Sequence, residues 1–155
     1  MERILVIGAN GQIGSELVEA LALKFGANKV VAADIAPQSL VGAPCYETVD
    51  VLDANRLRAV VEQYGITQVY QLAALLSVTG EQAPLRAWTL NMDGLLNILE
   101  LARERNAAGT PLRVFWPSSI AAFGPNTPAL DTPQHTIMDP TTIYGISKLA
   151  GERLC

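Results

Sequence analysis

Gly8-Ala9-Asn10-Gly11-Gln12-Ile13-Gly14 sets three glycines at intervals of three, directly after the apolar, β-branched-rich run Arg3 to Ile7. Such a run without polar alternation reads as a parallel strand covered on both faces. From Gln12 to Phe25 the residues Ile13, Leu17, Ala20, Leu21 and Leu23 recur at helical spacing, and Gly26 and Asn28 supply a stop. The glycines therefore occupy a strand-to-helix turn, and each spacing has a purpose. Gly8 permits the tight turn, Gly11 lets backbone approach a pyrophosphate, and Gly14 lets helix and sheet pack closely. The donors of the first helical turn, with Gln12 and Ile13 among them, then face phosphate.

Strand and helix alternate onward from this unit. Lys29 to Asp34, Tyr46 to Val49, Gln68 to Leu72 and Leu112 to Trp116 read as further strands, and Pro37 to Pro44 as a loop. Asp53 is placed to cap a helix running to about Tyr64 before Gly65, and Pro84 to Asn106 holds a long helix. Pro117 to Pro140, with five prolines, is a long loop before a last helix that starts near Thr141. Connections too long for hairpins predict an α/β fold, a doubly wound parallel sheet of Rossmann type with helices on both faces. No repeat or internal domain boundary is marked, so residues 1–155 are expected as one dinucleotide-binding domain. The last helix is still amphipathic at Cys155, and the chain is expected to be a C-terminally truncated, N-terminal portion of a longer protein.

Composition narrows the partners. Half of the 155 residues are hydrophobic and the net charge is −4, which gives no basic face for nucleic acid or anionic lipid. No apolar run has the length of a membrane span, and Met1-Glu2-Arg3 leads straight into the first strand without a signal-peptide h-region. Cys45 and Cys155 form no metal or disulfide pattern, and His135 is a lone histidine in the proline-rich loop, so no metal is expected and a reducing cytoplasm is.

The cofactor follows from Asp34, twenty residues after Gly14 at the end of the second strand, where a carboxylate can accept both hydroxyls of an adenosine ribose. It would repel a 2′-phosphate, and Ile35-Ala36-Pro37-Gln38 supplies no arginine to attract one, so NAD is favoured over NADP. Asp50, ahead of Val51-Leu52-Asp53, either accepts the adenine amine or caps its own turn. Phe115 and Trp116 read as sheet core and Trp88 as helix packing.

Tyr144 and Lys148 stand four residues apart on one face of the last helix, and Ser119 lies twenty-five residues before Tyr144 at the end of the fifth strand. Strand C-terminal ends are where open α/β sheets bind ligands. A phenol of ordinary pKa, about 10, is a poor base near neutrality, but an adjacent ammonium and an oxidised nicotinamide favour phenolate. Tyr144 can then take the proton of an alcohol as hydride leaves to NAD, with Ser119 holding the substrate oxygen and Lys148 also bonding the nicotinamide ribose.

Gly8-x-x-Gly11-x-x-Gly14, Asp34, Leu72-Ala73-Ala74, Asn91-Met92-Asp93-Gly94 and Tyr144-x-x-x-Lys148 together resemble the extended short-chain dehydrogenase/reductase superfamily over the whole chain. Leu75-Leu76-Ser77-Val78-Thr79-Gly80-Glu81, Trp116-Pro117-Ser118-Ser119-Ile120-Ala121-Ala122-Phe123-Gly124-Pro125 and Tyr144-Gly145-Ile146-Ser147-Lys148 are most similar to its L-threonine 3-dehydrogenase branch. The resemblance implies oxidation of the threonine β-hydroxyl to 2-amino-3-ketobutyrate by a homodimer about twice this length, with L-threonine as the small-molecule substrate. The missing half would supply most of the substrate lobe, so the 155-residue chain alone is expected to bind NAD weakly and turn over little. Tyr144 is implied as acid/base, Lys148 as its partner and Ser119 as hydroxyl-orienting, with Ser118 beside it. Leu72, Ala73, Ala74, Ile35 and Val51 fall at cofactor positions. Ser77 and Thr79 match a loop over the substrate, or else form a polar loop satisfying its own backbone. Asn91 matches a cofactor-side helix position, or else faces solvent. Two other readings stay open: a nucleotide-sugar epimerase or dehydratase with the same triad, and a regulatory NAD-binding module.

Overall fold

The computed structural model describes residues 2–40, 42, 43 and 45–155; Met1, and Val41 and Pro44 of the expected loop, lie outside the described residues. Five strands, β1 (Ile4–Ile7), β2 (Val30–Asp34), β3 (Cys45–Thr48), β4 (Gln68–Gln71) and β5 (Arg113–Phe115), form one sheet in the order β3-β2-β1-β4-β5. Every pairing is parallel, with Ile4 opposite both Val30 and Gln68, and Ile7 opposite Ala33 and Gln71. Because all strands run one way, Gly8, Asp34 and Leu72 emerge at the same edge. The order reverses direction at β1, so Gly8 stands at the topological switch point, where such sheets bind ligands.

Two compact units are distinguished, residues 1–73 with 94–116, and residues 74–93 with 117–155. The first holds the sheet with helices α1 (Gln12–Phe25), α2 (Ala54–Tyr64) and α5 (Gly94–Ala107). On one face of the sheet, Val18 and Leu21 of α1 pack into a buried cluster with Ile4, Val6, Val30 and Ala32. Strand side chains alternate, so Leu5, Ile7, Val31 and Ala33 point to the other face, and they are buried too. The helices α2 and α5 pack on each other and bury Leu57, Val60, Leu95 and Ile98. Each such side chain contributes about 1.5–3 kcal/mol by leaving water, which is why a strand of four residues can anchor the sheet.

The caps follow local chemistry. The Asp53 side chain accepts from the Arg56 N–H at 2.9 Å at the start of α2, and the helix ends at a left-handed Gly65. The second unit carries α3 (Ser77–Gln82), α4 (Pro84–Trp88) and α6 (Ile143–Leu154).

Three expectations need correction. The long helix read from Pro84 to Asn106 is interrupted by a π-helical turn over Thr89–Asp93 that separates α4 from α5. Phe115, expected in the core, is 49 % exposed because β5 is an edge strand, and it rests instead on Tyr70 with ring centroids 5.3 Å apart. Trp88 is likewise partly exposed.

Candidate functional site

The glycine turn is built by close approach. Gly8 has φ +83°, a conformation that L side chains rarely adopt, and a Cβ there would stand 2.8 Å from the Ala73 nitrogen. Gly14 is tighter still, because its Cβ would fall 2.1 Å from the Gly8 carbonyl oxygen. Gly11 meets only that oxygen, at 3.2 Å, and is exposed. It is the N-cap of α1 and supplies no side chain to the helix, whose first turn carries no acidic residue. Gln12 and Ile13 lie exposed beside it. The open donors of a fourteen-residue helix thus meet space that side chains leave free, a fit for a pyrophosphate. Leu72, whose N–H donates to the Ile7 carbonyl at 2.9 Å, and Ala73 form the other wall of the turn.

Asp34, partly buried at the end of β2, has each carboxylate oxygen on a backbone donor. Oδ2 accepts from the Asn10 N–H at 3.0 Å and Oδ1 from the Ala36 N–H at 3.2 Å. Each oxygen keeps lone-pair capacity for a further donor, such as a ribose hydroxyl. Ile35 is exposed next to it. Asp50 is engaged in its own turn: Oδ1 accepts from the Leu52 N–H at 2.9 Å and its carbonyl from the Asp53 N–H at 3.0 Å. Val51 is buried against α5, where a Cβ on Gly94 would stand 2.8 Å from Val51 Cγ1 and Asn97 donates to the Val51 carbonyl at 3.0 Å.

In the second unit, α6 carries Tyr144 and Lys148 on one face. Its first turn is capped twice, by Thr142 Oγ1 accepting from the Gly145 N–H at 3.0 Å and by Glu81 Oε1 of α3 accepting from the Ile143 N–H at 2.8 Å. Lys148 is only 3 % exposed; its Nζ donates to the Pro117 carbonyl at 2.7 Å and lies 5.6 Å from the centroid of the Tyr144 ring. Burial pulls the Lys148 pKa down from the ordinary lysine range to about 8. The Ser119 hydroxyl accepts from the Ala121 N–H at 3.2 Å, starting a 3₁₀ turn over Ile120–Ala122. Gly145 packs on the Ala121 carbonyl and Lys148 on that of Pro117. The segment around Ser119 and the face bearing Tyr144 and Lys148 are therefore one packed assembly, able to hold a phenol beside an ammonium.

Several expected residues are placed differently. Ser77 and Thr79 are not in a loop; both are exposed on α3. Ser118 is exposed and its hydroxyl donates to the Glu152 carboxylate, which draws it toward the C-terminal end of α6. Asn91 does not face solvent: it is 2 % exposed in the π turn, and its amide both donates to the Leu75 carbonyl at 3.1 Å and accepts from the Leu75 N–H at 2.8 Å. It acts through the backbone that follows Ala74. Glu81 and Gly145 carry no signature of their own in the segments Leu75 to Glu81 and Tyr144 to Lys148. No group of metal-ligating side chains and no helix able to cross a membrane occur among the described residues. Cys45 and Cys155 are free thiols.

A parallel sheet with a glycine-lined turn at its switch point defines a Rossmann-type dinucleotide-binding fold. The chain belongs to the NAD dependent epimerase/dehydratase family, whose family model matches residues 4–155, and NAD is its cofactor. It is 48 % identical over 158 residues to an uncharacterized epimerase/dehydratase of Staphylococcus epidermidis, covering all of this chain and 48 % of that protein. The holo form of a GalE-like L-threonine dehydrogenase from Cupriavidus necator superposes with TM-score 0.93 at 57 % identity, over 99 % of this chain and 49 % of that one. A UDP-glucose 4-epimerase from Brucella ovis in complex with NAD superposes with TM-score 0.87 at 26 % identity, over 99 % and 46 %. The chain spans about half the length of the curated relatives it matches.

Proposed function

We propose that this chain carries the cofactor turn and the catalytic segment of an NAD-dependent L-threonine 3-dehydrogenase, which oxidises the β-hydroxyl of L-threonine to 2-amino-3-ketobutyrate. The observation that carries the substrate is the contrast in identity, 57 % to a threonine dehydrogenase against 26 % to a UDP-sugar epimerase, at similar coverage of this chain. Bound NAD supplies the acceptor for the hydride that leaves the threonine β-carbon. Tyr144 takes the hydroxyl proton, so the carbon–oxygen double bond forms as both leave. Lys148, desolvated and held on the Pro117 carbonyl, favours the phenolate, since an ammonium in a low-dielectric setting acts strongly on a nearby anion. Ser119 orients the substrate oxygen, while Asp34 accepts the ribose hydroxyls and the first turn of α1 takes the pyrophosphate. The same reading carries a homodimer and a cytoplasmic location.

Threonine-dependent NADH formation in the protein carrying this chain tests the proposal. Turnover is expected with L-threonine and not with UDP-sugars. Tyr144→Phe should lower it by about a hundredfold or more, the scale of a lost acid/base group. Turnover of a UDP-sugar with none of threonine would replace the substrate class, and an active Tyr144→Phe would remove the proton-transfer role.

A further inference from the structure

Asn10, between Gly8 and Gly11, turns both polar groups of its side chain away from the glycine turn and onto the loop after Asp34. Its Nδ2 donates to the Gln38 carbonyl at 3.0 Å and to the Tyr46 hydroxyl at 3.1 Å, and its Oδ1 accepts from the Leu40 N–H at 2.8 Å. Its own N–H is the donor on Asp34 Oδ2. Tyr46 on β3 completes the arrangement by donating to the Ala36 carbonyl at 2.6 Å. The glycine turn needs none of these side-chain bonds, because it is closed by Gly8 and Ala9 N–H on the Ala33 carbonyl and by Gly11 N–H on that of Gly8. What they fix is the path of residues 36–40 and the direction of the Asp34 carboxylate.

That path bears on which dinucleotide can enter. A ribose whose hydroxyls bind Asp34 puts its 2′ position beside that carboxylate and the loop following it. A 2′-phosphate would add bulk and negative charge there, and residues 35–40 contain no cationic side chain to receive it. Accepting it would require the loop to retreat and the carboxylate to turn aside. With the Asn10 and Tyr46 bonds in place, either movement strands several donors and acceptors. We propose that Asn10 is a positioning residue for cofactor selectivity: by tying the 36–40 loop to Tyr46 and Asp34, it holds the site to NAD and against NADP.

The inference rests on Asp34 as the ribose acceptor, and the experiment separates the two. Dissociation constants for NAD and NADP are measured by calorimetry, with competition for the weaker ligand, in wild type, Asn10→Ala, Tyr46→Phe and Asp34→Ala. Asn10→Ala is expected to weaken NAD roughly tenfold, with NADP unchanged or tighter, so that the ratio of the two constants contracts by at least that factor. Tyr46→Phe, which removes one tie and keeps the ring, should contract it about threefold. A merely structural role would weaken both ligands alike, and an unchanged ratio in either variant overturns the proposal. If Asn10→Ala fails to fold, Tyr46→Phe decides on the ratio alone. An Asp34→Ala variant with undiminished NAD affinity would instead overturn the ribose assignment.

Discussion

A Cβ on Gly145 would stand 2.1 Å from the carbonyl oxygen of Ala121, so the helix that bears Tyr144 touches the turn headed by Ser119 backbone to backbone. A flexible side chain could step aside from an added methyl, but a carbonyl within a hydrogen-bonded 3₁₀ turn cannot. Gly145→Ala is therefore expected to cost about 2 kcal/mol or more, read as a lowered urea midpoint. Activity should fall by more than the unfolded fraction explains. A variant with wild-type stability and turnover would mean that the contact yields.

Lys148→Met tests the buried ammonium through pH. An unfolded lysine keeps its proton to about pH 10.4, whereas folded Lys148 releases it from about 8. Between those values the unfolded chain binds more protons, so this group's contribution to stability rises with pH. Below that window both states are protonated and the full cost of the buried charge is present. Wild type should therefore gain stability relative to Lys148→Met between about pH 8 and pH 10 in denaturant melts. A difference that stays flat with pH would contradict the burial of a chargeable amine.

Glu81 reaches from α3 to the first backbone N–H of α6. Removing it in Glu81→Ala leaves that donor without its cap, at a cost of about 1 kcal/mol. The turn holding Tyr144 should fray and kcat should fall several-fold with little change in the KM for NAD. Glu81→Gln retains an acceptor and should recover most of the loss. Equal defects in both variants would show that charge, not the hydrogen bond, is what matters there.

Asp53→Ala probes the scaffold alone. Its carboxylate caps α2 in the first unit, and its loss is expected to lower stability by about 1 kcal/mol. NAD affinity should not change. A thermal melt and a binding titration on the same sample check both halves of this prediction.

What could be read in advance divides along the distance between cause and effect. The α1 limits Gln12 and Phe25 and the Asp53 cap follow from neighbours within a turn or two, and they coincide with the structure. Strand limits shift by no more than a residue at either end for the same reason. The helix over Ser77–Gln82 leaves no mark in the sequence, being six residues long, polar in part, and without a side-chain cap at Leu76. The π turn is an irregularity in an otherwise continuous apolar period, which periodicity averages away. Partners remote in sequence were illegible: Asn10 meets Tyr46 thirty-six residues on, and Glu81 meets Ile143 sixty-two residues on. The types Tyr144, Lys148 and Ser119 could be singled out, but the carbonyls of Pro117 and Ala121 that seat them carry no signature in the letters.

The position of β1 sets how the cofactor turn behaves in time. Ile4–Ile7 are at most 1 % exposed and are bonded on both sides, to β2 and to β4. Amides in such a strand exchange with solvent only when the whole sheet opens, while a strand at the margin such as β3 opens at lower cost. Gly8 is therefore suspended from the slowest-breathing part of this unit. Opening and closing at the margins can proceed many times over while the glycine turn keeps its shape.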